Sequence, residues 1–163
     1  MKIPSHIETF WRSFLNSEIS PKHANNLFLE SFQIGSNRNE ADEGARLILC
    51  GDKTATSSLL WKYESSGEPL PSVGALSVVE DGERRPVCVI RATWVEVIPF
   101  GEVDASFARD YSETDGTLES WFEVFGEYYS DVCESMGCEF SEGTPLVCER
   151  FEVIFPGVSR SAT

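Results

Sequence analysis

The chain opens on helical periodicity. Ser5 and Glu8 have capping-box spacing, and Ile7, Phe10, Trp11, Phe14 and Leu15 then recur at the intervals of an amphipathic helix over Ser5–Leu15. Ser20-Pro21 reads as an N-cap followed by proline at the first helical position. With Ala24, Leu27, Phe28 and Phe32 it predicts a second helix over Pro21–Phe32. Gly35 to Asn39 is the expected break. A third helix is expected over Glu40–Cys50, with Ala41, Ala45, Ile48 and Leu49 on one face and Gly51 in the left-handed conformation that closes it.

After the turn from Gly67 to Pro71 the period changes to two. Ala75 to Glu80 and Pro86 to Ile98 are rich in β-branched residues and flank Asp81-Gly82, which predicts an antiparallel hairpin. Val87, Val89, Arg91, Thr93, Val95 and Val97 share one face of its second strand. A short helical pattern from Val103 to Arg109 leads into the polar loop Asp110 to Gly116. The stripe Leu118, Trp121, Phe122, Phe125, Tyr129 and Val132 then marks a long helix that Gly137 ends. In the last strand, Leu146 to Phe155, residues Val147, Glu149, Phe151, Val153 and Phe155 alternate onto one face. This order lacks the βαβ rhythm of a doubly wound sheet. It predicts an α+β domain with a small, mostly antiparallel sheet or barrel flanked by helices. Residues 156–163 carry no packing signal and are expected to fray.

Composition narrows the class. The 163 residues, 41% hydrophobic and 25% charged, suit a folded domain with one core. No apolar run reaches the roughly 18 residues of a membrane span, and the first residues lack a secretory signal, so a cytoplasmic protein with no membrane association is expected. Thirteen Lys and Arg against 27 Asp and Glu give a net charge of -14, which disfavours broad nucleic-acid binding unless basic groups are concentrated locally. Lys53, Lys62, Arg84, Arg85 and Arg91 precede the acidic stretch from Glu102 to Glu152, so an anion site would lie in that earlier segment. Five cysteines without a C-x-x-C spacing and two histidines near the N-terminus give no zinc signature; neither a metal nor a cofactor is expected. The cysteines are expected to be reduced and mostly buried.

Reactive side chains concentrate in two places. The string Leu49-Cys50-Gly51-Asp52-Lys53-Thr54-Ala55-Thr56-Ser57-Ser58-Leu59-Leu60-Trp61 puts an amine and several hydroxyls just past a helix end. A buried lysine serves as a base, and a charged one holds an oxyanion. If the segment is helical, Thr56 lies one turn from Lys53, in nucleophile-plus-base spacing. The bland alternative is a lysine favoured by the helix dipole and hydroxyls capping the next helix. The second place is the loop holding Asp110, Glu113 and Asp115, where a general acid would come from.

Gly51-x-Lys53-x-x-Thr56 resembles the signature of the ASCH family, small domains of the PUA-like β-barrel superfamily. The resemblance continues through Thr54 to Trp61, Glu68 to Gly74, Cys88-Val89-Ile90, Phe100-x-x-Val103 and Val147-Cys148-Glu149-Arg150-Phe151. It looks like the longer bacterial branch with extra N-terminal helices. That implies a helical extension over 1–46 packed on a barrel, an ASCH-like domain over 47–155, and a tail over 156–163. Members with amidohydrolase activity on 4-acetylcytidine use a lysine base, a threonine nucleophile and a glutamate proton donor. The resemblance puts these at Lys53, Thr56 and Glu113, the last upstream of Thr117-Leu118. The branch usually reads Gly-Glu-Gly-Asp in that loop. This chain reads Ser112-Glu113-Thr114-Asp115, and Asp115 is an alternative acid.

Around this set, Arg91 and Glu149 each sit on an otherwise apolar strand face. Either they form an ion pair or they line the floor of a ligand pocket. Trp61, Tyr63 and Trp94 either stack on a base or pack in the core. Three functions compete: a metal-independent amide hydrolase on a modified pyrimidine nucleoside, an RNA-binding or RNA-cleaving module, and a nucleotide-binding domain without turnover. The expected ligand is small and nucleoside-like, with RNA as the alternative, and the chain is expected as a monomer or homodimer. A hydrolase needs Lys53 partly neutral near pH 7, so a catalytic Glu113 is expected either protonated or across the substrate, without a direct ion pair to Lys53.

Overall fold

A computed structural model describes residues 3–156; of the expected tail, residues 157–163 lie outside the described residues. Helices α1 (Glu8–Leu15), α2 (Ala24–Leu27), α3 (Arg38–Leu49), α4 (Leu60–Ser66), α5 (Ala105–Tyr111) and α6 (Leu118–Met136) accompany five strands. These are β1 (Phe28–Gln33), β2 (Ala55–Leu59), β3 (Leu76–Glu80), β4 (Pro86–Pro99) and β5 (Pro145–Phe155), hydrogen-bonded in the order β1-β3-β4-β5-β2. The α+β class expected from the order of patterns is the class observed. β3 with β4 and β2 with β5 are antiparallel, whereas β1 runs parallel to β3. Among the described residues no helix is long and apolar enough to cross a membrane.

The helix expected over Pro21–Phe32 is the main departure. The structure keeps one turn, α2, and then extends the chain as β1. The cause lies 48 residues downstream, where every residue of β3 is buried and needs a hydrogen-bonding neighbour on both edges. Phe28 pairs with Leu76 and Phe32 with Val79, which outweighs a local spacing that fits either conformation. The other expected helices and strands stand within a few residues of their predicted ends.

The chain resolves into two compact units. The first gathers residues 3–52, 71–93 and 151–156; the second gathers residues 53–70 and 94–150. In the first unit, Ile7, Trp11, Phe14, Phe28, Leu76, Val78, Val89 and Ile154 form one core. Ile34, Ala45, Ile48, Val79, Cys88, Ile90 and Phe151 form another. Successive residues of β3 and β4 thus feed different cores, as alternation along a strand buried on both faces requires. Glu80, at the end of β3, is fully buried and accepts hydrogen bonds from His6 Nε2 at 2.5 Å and from Ser31 Oγ.

The second unit has an aromatic core. Trp121 stacks on Phe100 and Phe125, with Phe107, Tyr111 and Tyr129 around them. Asp104 and Thr117 cap α5 and α6, their side chains accepting from the N–H groups of Phe107 (2.8 Å) and Ser120 (3.1 Å). The Thr117 cap fixes the far end of the loop expected to hold the acid, which begins where α5 ends at Tyr111.

Candidate functional site

Lys53 lies two residues past Gly51, whose φ of 89° turns the chain out of α3. Thr54 then donates its N–H to the Asp110 carbonyl at 2.9 Å, and β2 begins. Lys53 is 1% exposed. Its ammonium donates to the carbonyl oxygens of Ala55 (2.6 Å) and Tyr111 (3.1 Å) and meets Glu113 Oε2 at 2.6 Å. It also stands 3.5 Å from the centre of the Tyr111 ring. Burial lowers the lysine from its ordinary 10.5 to about 8, and the Glu113 carboxylate resists that fall. The neutral amine is therefore closer to reach near pH 7 than in a solvated lysine.

The backbone explains how Glu113 arrives there. Ser112 ends α5 in the left-handed region, with φ 61°, where a non-glycine residue is uncommon. The chain keeps at Ser112 a conformation that glycine adopts freely, and this bend follows the carbonyl of Tyr111 that faces Lys53. The Lys53–Glu113 contact overturns one of the two expected arrangements, a Glu113 standing across the substrate from the lysine, and leaves the other, a protonated Glu113. The physical reason is burial: an ammonium this far from water needs an anion beside it.

Thr56 is not one helical turn from Lys53, because the segment is strand β2. The two are connected by another route. Lys53 Nζ bonds the carbonyl of the Ala55–Thr56 peptide, and the Thr56 side chain hydrogen-bonds to the Tyr111 phenol. Thr56 also faces Glu149 across the β2–β5 ladder, which makes half-buried Glu149 its cross-strand neighbour. Ser57 completes a hydroxyl network that the sequence reading missed: its Oγ lies 3.1 Å from the Tyr111 hydroxyl and 2.6 Å from that of Tyr129. Burial pushes both phenols up, so they remain neutral donors near pH 7. The i, i+4 pair Phe107 and Tyr111 is the one signal that would have placed Tyr111 on a buried helix face.

Other candidates have different places. Asp115 is exposed and accepts from the N–H (2.9 Å) and hydroxyl (2.7 Å) of Thr117, which holds its carboxyl below the usual range. The carboxylate on Lys53 is that of Glu113. Asp110 pairs with Arg150, whose guanidinium lies over the rings of Trp94 and Phe107. Trp61 is exposed on α4 and takes part in none of these contacts. Arg91 meets Glu152 at 3.1 Å, with both side chains at the half-exposed surface rather than at a buried floor, because β4 turns Arg91 outward between buried Ile90 and Ala92. Among the described residues no group of three or more His, Cys, Asp or Glu is gathered to hold a metal ion.

Residues 30–155 match the family model of the ASCH domain. The chain is similar to the crystal structure of an ASCH domain from Lactobacillus crispatus JV V101, with 30% identity and a TM-score of 0.84 over 94% of this chain and 97% of that one. It is also similar to a crystal structure of a protein from Enterococcus faecalis V583 described by the family model DUF984. That match has 28% identity and a TM-score of 0.77 over 91% of this chain and 88% of that one. No curated protein matches the sequence.

Proposed function

This chain belongs to the ASCH domain family, PUA-like modules, and from that premise we propose that it is a small amide hydrolase acting on a modified pyrimidine nucleoside of the 4-acetylcytidine type. The observation that carries the reading is the buried contact of 2.6 Å between Lys53 and Glu113. Transfer of one proton across it converts the ion pair into a neutral amine and a protonated acid, the two states the reaction needs.

Thr56 Oγ1 attacks the acyl carbon and passes its proton to the Lys53 amine. The C–N bond then breaks, and Glu113 gives its proton to the departing nucleoside amine. Water cleaves the acyl-threonine ester, releasing the carboxylic acid and restoring the hydroxyl. The Tyr111 and Ala55 carbonyls that hold Lys53 fix its position throughout, and Glu149, opposite Thr56, is the group at hand to bind the polar part of the substrate.

The charge of the chain supports a neutral substrate over RNA. Arg84 and Arg85, which a polyanion would need, are already engaged by Glu80, Asp81 and Glu83. The test is incubation with a panel of acylated nucleosides and with single-stranded RNA, using wild type, Lys53→Arg and Thr56→Ala. Wild type is expected to release free nucleoside. Lys53→Arg, which keeps the charge but cannot act as a base, and Thr56→Ala are expected to lose nearly all turnover. Wild-type turnover in Lys53→Arg, or RNA binding without turnover of any acylated nucleoside, overturns the reading.

A further inference from the structure

The C-terminal end of α6 brings two cysteines together. Gly137, at φ 77°, donates its N–H to the Glu134 carbonyl at 3.3 Å, and Cys138 donates to the Cys133 carbonyl at 2.9 Å. Those two bonds define a Schellman closure, in which the side chains of the residue four before the glycine and of the residue after it touch. In most helices two apolar groups meet there. Here the pair is Cys133 and Cys138, which the closure brings close enough for each thiol to act on the other. Cys133 is buried and Cys138 half-buried, so of the two residues Cys138 is the more accessible to a reagent. Cys88 and Cys148 are buried, and Cys50 stands exposed three residues from the carbonyl its thiol meets, that of Leu47.

We propose that Cys133 and Cys138 are a site of reversible oxidation, closing a disulfide across the end of α6 when a hydroperoxide is supplied. The Cys138 sulfur attacks one peroxide oxygen, the O–O bond breaks, and the other oxygen leaves as the alcohol, or as water from hydrogen peroxide. This oxidises Cys138 to the sulfenic acid. The Cys133 sulfur then attacks the Cys138 sulfur, the S–S bond forms, and the hydroxyl leaves as water with the Cys133 proton. Two thiols have lost two hydrogens and the peroxide has been reduced. Burial and the neighbouring sulfur push the Cys133 thiol up, which makes it the poorer first nucleophile and leaves first attack to the more accessible Cys138.

The site reaches further than the helix end. Tyr129 lies one turn before Cys133 on α6, and its hydroxyl holds Ser57 Oγ at 2.6 Å. The oxidised bond pins the turn that follows this tyrosine.

The test uses the full chain treated with hydrogen peroxide and, in parallel, with diamide, followed by alkylation of free thiols and peptide mapping. Wild type is expected to lose two hydrogens, to yield a Cys133–Cys138 linked peptide, and to regain both thiols with dithiothreitol. Amide exchange at Gly137 and Cys138 is expected to slow in the oxidised form. Cys133→Ser is expected to leave a Cys138 sulfenic acid that dimedone traps, and Cys133→Ala serves the same purpose should the serine variant fold poorly. A disulfide joining other cysteines, or conversion of Cys138 to higher oxides while Cys133 remains alkylatable, overturns the proposal.

Discussion

Replacing Lys53 by methionine isolates the energetic cost of the buried amine, because methionine has similar length and no charge. Burial takes the lysine from its ordinary 10.5 to about 8 despite the Glu113 carboxylate that opposes the fall. A lysine held below its unfolded value binds fewer protons in the native state between those two values, so unfolding takes up protons there and stability rises with pH. The penalty is fully present below about pH 8 and is relieved as pH climbs toward 10.5. At about 1.4 kcal/mol for each pH unit, the interval is worth about 3 kcal/mol. Wild type should therefore gain about 3 kcal/mol relative to Lys53→Met between pH 7 and 10.5. Taking the difference between the two proteins cancels Cys88 and Cys148, whose thiols burial pushes up to about 12 and which lower stability as pH rises past the unfolded thiol value. Guanidinium chloride unfolding followed by tryptophan fluorescence, at three pH values spanning the interval and constant ionic strength, measures it. A difference that does not change with pH, or one that turns against wild type, refutes a lysine depressed by burial.

Two further predictions concern particular residues. Ser112→Gly is expected to stabilise the protein, since relief of the left-handed strain, about 1–2 kcal/mol, exceeds the added unfolded-state entropy; unchanged or lower stability in chemical denaturation would contradict it. Glu80→Gln is expected to cost about 1–3 kcal/mol at pH 7. Burial would raise Glu80, but hydrogen bonds from Ser31 and His6 hold it below its ordinary value, so its contribution is lost as pH falls through that lowered value, and acid titration of the variant should lack this component.

What could be read from the sequence divides by the range of the interaction. The stripe of α6 repeats over 19 residues and the β3–β4 hairpin carries its own turn residues, so both are encoded locally. β1 is not: the residues from Ala24 to Phe32 fit a helix as well as a strand, and the choice is made by β3, far along the chain. The site follows the same division. The string around Lys53 and Thr56 and the polar loop of Glu113 stand out locally as two separate clusters, and only the family resemblance joins them, since nothing in local spacing links a lysine to a carboxylate 60 residues away. The left-handed Ser112 and the Tyr111 carbonyl that bring the two together depend on how α5 ends. The bond between Ser57 and Tyr129 was invisible for a plainer reason: hydroxyls that bond one another in a core follow no periodicity.

The position of β5 carries a consequence for biosynthesis. Leu146 and Cys148 belong to the aromatic core, Ile154 to the core beneath α1, and Phe151 to the core beneath α3. Each of these cores waits for a strand that leaves the ribosome after the rest of its members. Until translation passes residue 155, Trp121, Phe14 and Ile48 have incomplete surroundings, and the nascent chain must hold them without a finished interior. A ribosome stalled before Pro145 would therefore display a chain with all six helices already synthesised and none of its three cores closed.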